Sequence, residues 1–137
     1  MKEQTIEAGG IVYAKIFRAD EDLEDAVHFF TEDADPLQVG IFERAEGYDV
    51  VPHKHNPREL SLEYPGEFLW IQSGEVQVTI FDDDWTTIDT LIVNGGECLV
   101  IMKGGHEMKM LKPTRLLEVK QGPYIGREND KTFRDTV

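Results

Sequence analysis

The feature that most constrains this chain is a series of short alternating segments, separated by glycine and aspartate turns, that begins at Leu37 and runs almost to the C-terminus. Leu37, Val39 and Ile41 alternate with their neighbours, the period-two pattern of a half-buried strand. Residues 48–55 read as a second extended segment. Phe68-Leu69-Trp70-Ile71-Gln72 is rich in aromatic and branched side chains, and Ser73-Gly74 turns it into Val76, Val78 and Ile80, which predicts a hairpin. Asp82-Asp83-Asp84 reads as a hairpin loop and residues 87–93 as the returning strand. Asn94-Gly95-Gly96 turns again into residues 98–102, Gly104-Gly105 breaks the chain, and residues 106–111 and 116–119 complete the series. Short strands this closely spaced predict an all-β sandwich or barrel, with jelly rolls among the solutions.

The first third is mixed. Residues 11–17 read as a strand, the acidic residues 19–26 as a loop or short helical turn, and His28-Phe29-Phe30 as the start of another strand before Asp35-Pro36. At 137 residues the expectation is a single domain over residues 1–137, with an N-terminal arm of about 1–36, a core of about 37–121 and a tail of about 122–137. The formal net charge of -13 argues against nucleic acid and anionic membranes as partners. The lone Cys98 cannot form an internal disulfide, and its apolar strand setting assigns it to packing. No signal peptide or membrane span is visible, so the expected setting is the reducing cytoplasm.

Two of the four histidines form His53-Lys54-His55. On a strand, residues i and i+2 share a face, so both imidazoles would point the same way, as one strand's contribution to a metal site. Five residues separate Gly47 from His53, and six separate Glu67 from Gly74. This resembles the first motif of the cupin superfamily, Gly-x5-His-x-His-x3-4-Glu-x6-Gly, with eleven residues rather than three or four between His55 and the glutamate. Glu59 lies at the literal spacing, with six residues between it and Gly66. The segment that follows contains Pro65, which lacks a ladder donor, so Glu67 is the preferred carboxylate. The second cupin motif, Gly-x5-Pro-x-Gly-x2-His-x3-Asn, is matched by Gly95 and His106, while Ile101, Lys103 and Met110 replace its Pro, Gly and Asn.

The resemblance, over about residues 37–119, implies a cupin jelly-roll barrel (double-stranded β-helix) of the RmlC-like kind with a short mixed N-terminal segment. It implies one divalent transition metal (Fe, Mn, Ni, Co or Zn) held by His53, His55, Glu67 and His106, and a set of three imidazoles and one carboxylate does not choose among these ions. It also implies a small-molecule ligand and a homodimer. The expected activity is metal-dependent turnover of a small polar metabolite, by sugar or keto-acid isomerisation or epimerisation or by oxygenation. The alternative is a non-catalytic binding or sensor module with a structural metal. Tyr48, Gln72, Met108 and Glu59 are candidate pocket residues. Lys103, Glu118 and Lys120 are further candidate contacts, whereas His28 reads as structural and Trp70 as packing between sheets or at a dimer interface.

Overall fold

A computed structural model describes residues 2–18 and 27–135. The expected acidic loop over 19–26 lies outside the described residues. Among the described residues there are ten strands: β1 (Lys2–Ala8), β2 (Ile11–Arg18), β3 (Val27–Phe29), β4 (Gly40–Phe42), β5 (Glu67–Ser73), β6 (Glu75–Phe81), β7 (Thr87–Asn94), β8 (Cys98–Ile101), β9 (Gly105–Met110) and β10 (Arg115–Lys120). A single turn of helix, α1 (Arg127–Asp130), follows them.

The class is all-β, and every pairing among the described strands is antiparallel. The described strands form three separate sheets, ordered β1-β2-β8-β5-β10, β7-β6-β9 and β3-β4, rather than a closed barrel. The two larger sheets pack face to face. Ile6, Ala14, Ile16, Leu69, Ile71, Leu99 and Ile101 of one meet Val76, Val78, Ile80 and Val93 of the other in a single buried cluster. Alternation builds this core: in β6, Val76, Val78 and Ile80 are fully buried, while Glu75, Gln77 and Thr79 between them are only partly so.

The β3–β4 pair covers the opposite face of the five-stranded sheet, where Phe17, Phe30, Val100 and Met102 form a second buried cluster. The rings of Phe17 and Phe30 lie 3.8 Å apart. Lys15, buried at the same face, donates to the Phe30 carbonyl at 2.9 Å, which satisfies its ammonium where water is excluded.

Three expectations change here. The β5–β6 hairpin does not form: β5 pairs with β8 and β10, and β6 pairs with β7 and β9. Gly74 lets the chain pass from one sheet to the other at φ 106, pressed against Pro113 and Thr114 where a side chain has no room. Both strands carry apolar residues on one face, so placing them in opposite layers buries both faces against each other, which a flat hairpin cannot do. Second, residues 48–55 are not a strand, and no strand occurs between β4 and β5. Pro52, Pro57 and Pro65 interrupt that stretch and remove ladder donors. Third, the N-terminal strands are integral rather than an arm, because β2 pairs with β8 and supplies Ala14 and Ile16 to the core.

Candidate functional site

Strand parity aims two of the expected site residues at each other. Glu67 lies on the face of β5 that carries buried Leu69 and Ile71, so it looks toward the smaller sheet. His106 of β9 pairs with buried Ile80 and looks back. Their closest atoms, His106 Nε2 and Glu67 Oε2, are 3.5 Å apart. Around them residues of both sheets line a cavity of about 520 Å3. Its apolar surface comes from Phe81, Trp85, Ile101 and Met102, and Tyr64 also lines it.

The ladder determines the electrostatics. Glu67 is flanked across the sheet by Ile101 on one side and Lys120 on the other. Glu118, two residues before Lys120, shares its face of β10 and hydrogen-bonds Glu67 through the side chain. Burial, the shared hydrogen bond and the neighbouring charge of Glu118 together push the Glu67 carboxyl up to about 7, with Lys131 and Lys120 pulling the other way. Burial, and then the charge of Lys131, lower the basicity of His106, opposed by Glu118. Near neutrality the cavity therefore holds a carboxyl group poised between its two protonation states beside an imidazole biased to its neutral form.

The remaining wall is the C-terminal segment. Asp130, Lys131, Thr132, Phe133 and Arg134 all line the cavity. Lys120 ties the segment to β10 through Asp130 at 3.7 Å, and the Arg134 guanidinium lies 5.0 Å from the centre of the Phe81 ring. Gly104 brings the start of β9 close: its φ is 76, and a Cβ there would meet the Phe81 carbonyl and come within 2.7 Å of the Tyr13 ring. Trp85 adopts φ 65 at the tip of the β6–β7 hairpin, an uncommon conformation for an aromatic residue. Asp82 braces that tip, its Oδ1 accepting the Asp84 and Thr86 amides, each at 2.9 Å.

The four expected metal ligands fall into two pairs. Glu67 and His106 meet in the cavity. His53 and His55 lie together on the exposed stretch between β4 and β5, their ring centres 5.5 Å apart, with His53 Nδ1 bonded to the Val51 carbonyl at 2.8 Å. Neither imidazole of that second pair lines the cavity. Among the described residues no group of three or more His, Cys, Asp or Glu side chains is placed to hold a metal ion, so in this arrangement the two pairs do not form one donor set.

Of the two candidate carboxylates, Glu67 is in the cavity, whereas Glu59 is exposed on the same stretch as the histidine pair. The other candidate pocket residues lie elsewhere. Met108 packs into the core opposite Val78, Gln72 is exposed, and Tyr48 is exposed beneath the Arg44 guanidinium at 4.6 Å. Lys103 and Lys120 do line the cavity. His28 is bound to Glu3 at 2.6 Å, away from the cavity. Lys131, Arg134 and Trp85 had no motif to mark them; the one local signal was an aromatic residue placed directly after three aspartates in a turn.

Fold and site together define an all-β protein of two packed antiparallel sheets with a carboxyl–imidazole pair facing a half-enclosed cavity. Comparisons with family models, with curated proteins and with solved structures give no match for this chain.

Proposed function

We propose that the chain is a jelly-roll protein of the cupin type that binds a small polar metabolite in the cavity and moves a proton on it. The observation that carries this reading is the approach of Glu67 and His106, from facing sheets, to 3.5 Å within one cavity of about 520 Å3. Isomerisation or epimerisation next to a carbonyl needs one group to take a proton and another to give one. A neutral imidazole and a carboxyl group titrating at about 7 suit those roles at neutral pH. Phe81, Trp85 and Met102 give the cavity apolar lining beside them, and Glu118 hydrogen-bonds the Glu67 carboxyl.

A second reading, a divalent-metal site, is favoured by the pairing of His53 with His55 on the stretch that leads directly into Glu67. Movement of that stretch over the cavity would bring two imidazoles toward Glu67 and His106. A divalent ion bound there would polarise a carbonyl oxygen.

One set of measurements tests both readings. Wild type, Glu67→Gln and His106→Gln are incubated in D2O with a panel of sugars and keto acids, and NMR follows deuterium entering the carbon next to the carbonyl. Exchange by wild type that falls at least roughly tenfold in each variant supports proton transfer. Panel compounds that raise the Tm without exchanging support a binding module instead. Stoichiometric metal in untagged protein, lost in the His53→Asn/His55→Asn variant, supports the metal reading. The homodimer is proposed on β10, which ends its sheet, and on the outward-facing Trp70, Leu117 and Val119. Sedimentation of wild type and Leu117→Lys tests it.

A further inference from the structure

The charge of the cavity does not match the charge of the chain. Acidic residues outnumber basic ones 27 to 14 overall, and such a surface repels anions. In the cavity lining the balance reverses: Lys103, Lys120, Lys131 and Arg134 stand against Glu67, Glu107 and Asp130. Two of those cations are engaged by carboxylates of the protein, Lys120 with Glu118 and Asp130 at 3.7 Å and Lys103 with Asp83 at 3.6 Å. The other two, Lys131 and Arg134, belong to the segment that follows α1. The field of Lys131 reaches both Glu67 and His106. A guanidinium resting on an aromatic face, as Arg134 rests on Phe81, still presents its N–H groups in plane to a carboxylate or a phosphate. The apolar residues in the same lining, Phe81, Trp85, Ile101 and Met102, lower the local dielectric and strengthen charge interactions there.

We infer that the cavity receives a small organic anion, with Lys131 and Arg134 of the C-terminal segment meeting its charged end. This deepens the proposed function and rests on its reading of the cavity as the ligand site. The C-terminal segment then serves as the recognition wall, and Glu67 and His106 face the uncharged end of the same ligand.

The test is an NMR titration of the full chain, reading the His106 imidazole and Trp85 indole resonances. The probes are sodium gluconate, glucose 6-phosphate and neutral glucose, with sodium chloride as the ionic-strength control. The expected result is saturable shifts with one or both anions, and binding weaker by roughly tenfold or more in Lys131→Gln/Arg134→Gln but not in Lys109→Gln, which changes an exposed cation outside the cavity. The carboxylate and phosphate arms show which anionic group is taken. Saturable shifts with glucose equal to those with the anions would overturn the inference and leave the cavity reading standing. So would anion binding that survives in the double variant. Shifts that sodium chloride reproduces, with no saturation by any probe, would also overturn it, while the exchange experiment on Glu67 and His106 decides the cavity reading separately.

Discussion

Replacing Glu67 by glutamine removes one titrating carboxyl from the cavity but keeps a side chain of the same shape that can still donate to Glu118. In the folded protein the Glu67 carboxyl is raised from 4.5 to about 7, chiefly by burial and then by Glu118. The sign of the effect follows from proton counting. Between those two values the folded state holds more protons than the unfolded state, so stability falls as pH rises through that window. The stabilisation is complete below the unfolded value and gone above about 7. At about 1.4 kcal/mol per pH unit, the difference amounts to roughly 3 kcal/mol. The side chain is 19% exposed, so solvent screening reduces this little. Urea unfolding of wild type and Glu67→Gln at several pH values from 4.5 to 8 measures it. The two proteins should be nearly equal at the acid end, and the variant should be more stable by roughly 3 kcal/mol at pH 8. His106 contributes the opposite slope, because its lowered basicity means that the folded state holds fewer protons than the unfolded state as pH drops below the ordinary histidine value. Repeating the subtraction in a His106→Gln background removes that contribution. Stability curves that run parallel across the whole range would refute the buried, proton-bearing carboxyl and with it the acid role given to Glu67.

Two further outcomes follow from the same geometry. Gly74→Ala forces a side chain into the backbone of Pro113 and Thr114 at a positive φ, so its urea midpoint should fall by an amount equivalent to about 2–4 kcal/mol; a change below about 0.5 kcal/mol would show that the crossing between sheets is looser than drawn. Burial, and then Glu97, raise the Cys98 thiol from 9.0 to about 11, so native protein at pH 8 should react with a disulfide reagent roughly 100-fold more slowly than urea-unfolded protein; equal rates would place the thiol in solvent.

What was legible in the sequence was local. The period of two in Val76, Val78 and Ile80 and the turn residues between segments located β6 to β10 closely, because alternation and turn chemistry depend on neighbours in the chain. Motif spacing singled out Glu67 and His106 as members of a ligand set, and these two meet in the cavity. The His53–His55 pairing was legible only as a spacing. Its reading as one face of a strand needed a hydrogen-bonded partner, which a stretch interrupted by Pro52, Pro57 and Pro65 does not find.

Tertiary structure decided which strands pair. Ser73-Gly74 is locally indistinguishable from a hairpin turn, yet β5 and β6 enter opposite sheets, because two strands that each carry one apolar face bury more surface layered than side by side. It also decided that the C-terminal segment walls the cavity, bringing Lys131 and Arg134 to Glu67 and His106 across distances in sequence that no local pattern encodes. The alternation along each strand belongs to the sequence alone; the meeting of a carboxyl, an imidazole and two cations in one cavity exists only once the sheets have closed on their core, since burial and charge proximity are properties of the packed chain.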